Sequence, residues 1–191
     1  MQAKTNRIRT LPLTVGIVGV VLTSCVFRNS APVASQGQKK DVRTITWQEQ
    51  NMRFSVPEGW EFVPSSGFES EEFRLKGPQD AHLSVFVVDD RGRTIDVDSA
   101  LRKYQDNLKT QQSVKFDEVR FLDLDAARGV LSVSTETDGD KRSLDLMWQG
   151  YRQQSAKLQF VSIHLWGSIV GPADRKSEFL NILNSLKLTK D

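Results

Sequence analysis

The chain has 191 residues, 26% of them charged and 38% hydrophobic, with one cysteine. That length suits a leader plus one domain, and a domain of roughly 150 residues buries about 68–70% of its unfolded surface. A lone cysteine excludes an internal disulfide framework. The formal charge of +2 comes from the N-terminus, where the first 24 residues carry Lys4, Arg7 and Arg9 and no acid. Without those three, 23 of the 26 basic side chains face 24 acidic ones, a net of −1. Such a chain has no electrostatic footprint for nucleic acid.

Lys4, Arg7 and Arg9 form a positive n-region, and Leu11 to Ser24 is uncharged and largely apolar. A spanning helix needs about 20 residues, and this run of about 14 also contains Pro12, Gly16 and Gly19. The pattern predicts a signal peptide rather than a permanent short anchor. No Ala-x-Ala site for the ordinary signal peptidase follows it. The run closes on Leu22-Thr23-Ser24-Cys25, which resembles the lipobox of bacterial lipoproteins. The resemblance implies removal of residues 1–24 and lipid attachment at Cys25 as diacylglycerol plus an N-acyl chain such as palmitate. One acyl chain anchors marginally and two or more anchor stably. Val26 stands where an Asp would resemble an inner-membrane retention signal, so the outer membrane is expected in a cell that has one. The domain would then lie in the periplasm or other extracytoplasmic space.

Residues 25–43 are expected to be a flexible tether. Val26 to Asp41 is rich in Ser, Ala, Gln, Gly, Asn and Lys and shows no periodicity. Its reach would be roughly 20–25 Å. A single domain is expected over 44–191. Thr44–Trp47 and Met52–Val56 have strand character, with Asn51 as the turn between them. Phe73–Leu75 and Ala81–Val88 are further strands. Val97, Leu101, Tyr104 and Leu108 recur at helical spacing behind an Asp96 or Asp98 cap. Val119–Leu122 and Ala127–Thr135 return to strand character. Asp138-Gly139 predicts a type I′ hairpin turn, followed by Leu144–Trp148. Arg152 to Ser155 separates this from a last long strand, Lys157–Trp166. Pro172 is expected to open a closing helix with Phe179, Ile182, Leu183 and Leu186 as its buried stripe.

Phe54-Ser55-Val56-Pro57-Glu58-Gly59-Trp60 resembles the strand, Pro-x-Gly-Trp entry of the Mog1/PsbP-like domain. Phe179 to Leu188 resembles the closing helix and Ser-Leu-x-Leu tail of that family. The resemblance implies an α+β class, an antiparallel β-sheet packed between helices as an α/β/α sandwich. It also implies an accessory role, as the PsbP members assist photosystem II assembly. No photosystem-binding residue is matched, so that role does not carry over.

The chemistry-bearing motifs are sparse. There is no Cys pair, His-Glu-x-x-His, EF-hand spacing, Gly-x-Ser-x-Gly elbow, phosphate loop or dinucleotide fingerprint. His82 and His164 fall inside predicted strands. Asp89/Asp90 and Asp123/Asp125 are more readily solvated caps than calcium ligands. No metal, cofactor or catalytic residue is expected. Gly167-Ser168 has the composition of a loop start. Trp47, Trp60, Trp148 and Trp166 are core residues or the lining of an apolar pocket, and Glu69-Glu71-Glu72 marks a solvated loop or a docking spot. The expected function is a membrane-anchored, non-enzymatic accessory or scaffold protein with an envelope protein partner. The alternatives are a carrier or sensor of a small apolar or lipid ligand and, less favoured, a surface hydrolase built on His164.

Overall fold

Two sheets and two α-helices account for residues 41–63, 72–90, 94–170 and 174–188, which the computed structural model describes. All belong to one unit, Lys39–Asp191. Cys25, the leader, the tether, Glu69, Glu71 and Pro172 lie outside the described residues.

The smaller sheet pairs β1 (Val42–Trp47) with β2 (Met52–Pro57) and β2 with β10 (Lys187–Leu188). β1 begins two residues before the expected boundary. Asn51 takes the left-handed conformation between β1 and β2 (φ 49°), which Asn tolerates better than most side chains. The larger sheet is antiparallel throughout. Its strands are β3 (Glu61–Phe62), β4 (Glu72–Lys76), β5 (His82–Asp89), β6 (Phe116–Phe121), β7 (Ala127–Asp138), β8 (Lys141–Gln154) and β9 (Lys157–Ser168). They are ordered β3-β4-β5-β9-β8-β7-β6. Gly167 and Ser168 thus belong to a strand rather than opening a loop.

Strand alternation decides what the larger sheet buries. Leu83, Val85 and Val87 on β5 sit opposite Leu165, Ile163 and Val161 on β9. Those residues sit opposite Leu146, Trp148 and Gly150 on β8. The resulting inner face is covered by the small sheet and by α2 (Arg175–Asn184) through Trp47, Met52, Phe54, Val56, Phe179, Ile182 and Leu183. Trp60 is buried there, one of the four tryptophans read as core or pocket lining, edge-on to Phe179 with ring centroids 6.4 Å apart. Trp148 lies across Gly129 and Gly150, partners in the β7–β8 ladder, and its indole N–H donates to the Leu122 carbonyl at 2.8 Å.

On the outer face, α1 (Val97–Thr110) packs Leu101 and Leu108 on Val130, with Val119 and Tyr151 alongside. Asp96 caps it by accepting from the Ser99 N–H. The layers are therefore helix, sheet, then helix with a second small sheet: an α+β fold with an antiparallel sheet between helices.

Three local expectations are corrected. The β7–β8 turn is closed by Asp138 and Lys141, and of its two central residues only Gly139 has positive φ (58°). That is the type II′ pattern. The type I′ pattern occurs instead at Ser155-Ala156 (φ 46° and 63°) between β8 and β9, and at Gln79-Asp80 (both 54°) between β4 and β5. Long ladders on either side impose those turns against the residues' own preference. Arg152 to Ser155 is not a break: β8 runs to Gln154 and buries Arg152 on the inner face. The Arg152 Nε donates to Gln159 Oε1 at 2.7 Å and its Nη2 to the Gln50 carbonyl at 2.8 Å. The closing helix starts later than Pro172, at Arg175, with Asp174 as its cap.

Candidate functional site

α1 spans only the β6–β7 side of the outer face, and β5 and β9 continue past it. The same alternation that buries Leu83, Val85, Ile163 and Leu165 turns His82, Ser84 and Phe86 outward on β5 and Ser162, His164 and Trp166 outward on β9. β8 contributes Asp145, Met147 and Gln149 to the same surface. Trp166 is 38% exposed and Phe86 41% exposed, unlike the residues around them in the ladder.

Trp166 stacks with two histidines. The His82 ring stacks on it at 4.3 Å between centroids, 11° from parallel, and the His164 ring at 5.0 Å and 25°. His82 and Trp166 are direct partners in the β5–β9 ladder, and His164 is two residues along β9, so register alone brings the three rings together. The His164 Nε2 lies 2.7 Å from the Asp145 Oδ2. Gln149 donates to the Ser162 hydroxyl at 3.2 Å. Partial burial, chiefly, lowers the proton affinity of His82; the Lys76 charge adds to this and Asp80 opposes it.

This arrangement bears on hydrolysis. His164 has an acid neighbour, and Ser84 is its direct ladder partner. Among the described residues, however, no hydrogen bond joins Ser84 to His164. β5 and β9 are each paired on both sides, so Ser84 and His164 stand on strands held in ladders rather than beside a loop or helix N-terminus. The histidine, the acid and the serine share one face of the sheet.

The other sequence candidates have structural roles. Trp47, Trp60 and Trp148 are core, and only Trp166 reaches the surface. Asp89 accepts from Gln159 Nε2 at 2.6 Å and Lys157 Nζ at 3.1 Å, which hold its carboxyl below the ordinary range. Asp125 accepts from the Leu188 N–H at 2.9 Å, fixing β10. Glu72 pairs with Arg74 at 2.7 Å. Among the described residues no group of three His, Cys, Asp or Glu lies close enough to hold a metal ion.

Sequence reasoning missed a second feature. A cleft of about 570 Å³ opens between the small sheet and the first turns of α2. Val42, Pro57 and Ile182 form its apolar lining, and Ser55, Asp174, Ser177 and Asn181 its polar rim. The size is that of small-ligand pockets.

Fold and site together define an α+β domain, an antiparallel sheet between helices, with an uncovered aromatic face. No protein-family model matches the chain, and no curated protein does. Solved structures do. The cyanobacterial PsbP (CyanoP) of Synechocystis sp. PCC 6803 is 17% identical, with 83% of this chain and 100% of that one covered and a TM-score of 0.51. LpqN of Mycobacterium tuberculosis, described as involved in cell envelope biogenesis, is 11% identical over 81% of this chain and 87% of that one, with a TM-score of 0.49. A structure from Bacteroides thetaiotaomicron is 12% identical over 74% of this chain, with a TM-score of 0.48, and this chain spans only 46% of its length. At such identities the likeness is one of fold.

Proposed function

We propose that the chain is a lipoprotein, anchored through Cys25, whose domain is a non-enzymatic accessory or scaffold module of the cell envelope. The observation that carries this reading is a lipobox-like Leu22–Cys25 joined to a domain with an exposed aromatic surface, Trp166 and Phe86. Exposed aromatics on an otherwise solvated sheet mark contact surfaces. No helix among the described residues is long and apolar enough to cross a membrane; the reading assigns attachment to acyl chains on Cys25. The resemblance to accessory factors of the Mog1/PsbP-like family points the same way, and the partner is an envelope protein.

The cleft between α2 and the small sheet favours a second reading, a carrier of a small apolar or lipid ligand. Native mass spectrometry of the purified protein distinguishes them: a co-purifying lipid supports the carrier. For the first reading, Cys25→Ala should leave the protein unprocessed or release it from the membrane fraction. Retention of that variant at mature size would refute the anchor. In-cell crosslinking of the wild type should then yield one reproducible envelope partner, and a blank would refute the scaffold role.

A further inference from the structure

The uncovered half of the outer face has a chemistry of its own. Trp166 is a flat ring stacked with the His82 and His164 imidazoles and still 38% exposed, so little conformational freedom remains to be lost when something lands on its open surface. Around it lie hydrogen-bonding groups: the Asp145–His164 pair, Ser84, Ser162 and Gln149. Whatever covers this part of the face must offer hydrogen bonds to those groups, because each one left without a partner would carry its full desolvation penalty. An anionic phosphate or lipid headgroup would meet the Asp145 carboxylate, while Arg74 nearby is already paired with Glu72, leaving Lys76, the ladder partner of His82, to offset that repulsion. The ligand that suits the face is uncharged, with one flat apolar side and a rim of groups that both donate and accept.

A sugar ring has that form. Its axial C–H face is apolar and its edge carries hydroxyls. The geometry points to a glycan-binding platform on the outer face of β5, β8 and β9. Trp166 stacks against a pyranose ring. The Asp145 carboxylate and its His164 partner take hydroxyl hydrogen bonds, which are stronger for being made to an ionised acceptor. Phe86 supplies a second apolar contact. It lies four residues along β5 from His82, the ladder partner of Trp166, or about 13 Å, which is room for a chain of rings rather than a single one. The inference rests on the reading of this aromatic surface as a contact surface and names the chemistry it meets, whereas the lipid anchor at Cys25 stands or falls separately.

The test uses the full-length acylated protein in a detergent without a sugar headgroup, titrated calorimetrically with cellotetraose and with the N-acetylglucosamine tetrasaccharide. At least one should bind saturably with Kd between micromolar and millimolar. Trp166→Ala should abolish that binding. Asp145→Asn, which removes no packing, should weaken it by about tenfold or more, and near-UV circular dichroism confirms that each variant is folded. Failure of both probes to bind folded wild type at about 10 mM would overturn the proposal. So would equal affinity in wild type and Asp145→Asn, or a dimerisation that Trp166→Ala abolishes without any sugar binding. Mass spectrometry of Cys25 in the same sample separates failure of the anchor from failure of the platform.

Discussion

A methyl group added at Gly129 tests the packing on which the inner face depends. An alanine Cβ there would lie 2.4 Å from Cε2 and Cζ2 of Trp148, whereas ordinary contact begins near 3.4 Å. The indole would have to retreat by about 1 Å. Its N–H now donates to the Leu122 carbonyl at 2.8 Å, and a shift of that size takes the bond beyond useful length. Overpacking costs about 1–3 kcal/mol and the lost bond about 1 kcal/mol more. Gly129→Ala should therefore cost about 3 kcal/mol, lowering Tm by about 6–12 °C in a domain of this size. The Cβ would also lie 2.7 Å from the Gln149 carbonyl, a strain that has nothing to do with the indole. A double-mutant cycle removes it. In a Trp148→Leu background, Gly129→Ala should cost at least about 1 kcal/mol less than in wild type. Urea denaturation followed by circular dichroism measures all four corners. Equal costs in the two backgrounds would refute the argument that this glycine exists to seat the tryptophan.

Other expectations follow from single sites. Ala156→Gly should stabilise by about 1 kcal/mol, because Ala156 holds φ 63°, a conformation that glycine adopts without penalty; no gain in Tm would contradict this. Arg175→Met should cost about 3 kcal/mol. Arg175 is buried, donates to Gln79 Oε1 at 2.7 Å and pairs with Glu178 at 3.3 Å. Its loss removes a buried partner of both groups, and an unchanged urea midpoint would count against the network. Glu118 is held below the ordinary carboxylate range by hydrogen bonds from Lys176 and Arg120, tying β6 to α2. Its contribution is present above the unfolded-state pKa and disappears as pH falls from about 4 downward. Glu118→Gln should flatten the acid limb of the stability curve, and an identical limb would exclude this source.

The inner face was legible because it needs only a period of two. Leu83-x-Val85-x-Val87 and Val161-x-Ile163-x-Leu165 declare their buried side in the chain. The outer site obeys the same parity, which places His82, Phe86, His164 and Trp166 on one surface. A motif search passes over it because no short spacing links the residues. Asp145 and His164 are 19 residues apart, and only the β8–β9 register makes them neighbours. The turns at Gln79-Asp80 and Ser155-Ala156 carry no glycine, so local chemistry gave no sign of their handedness. Arg152 and Arg175 were equally hidden, since arginine is seldom buried unless paired and their partners are distant in sequence.

His82 offers a way to measure how deeply the aromatic platform is embedded. Burial is the main reason its proton affinity is low, and the positive charge of Lys76 adds to it. Lys76→Gln removes only the second cause, so the pKa should rise but remain below the ordinary value for histidine. Asp80→Asn should move it down, because that carboxylate favours the imidazolium. Since the folded value is the lower one, the unfolded chain takes up the proton first, and stability should fall as pH drops from about 6.5 toward the folded pKa. The imidazole C–H resonance, followed by NMR across that range, reports the protonation directly. If Lys76→Gln restored the ordinary value completely, charge rather than burial would be in control. The stack on Trp166 would then be an open, solvated contact instead of a rigid base.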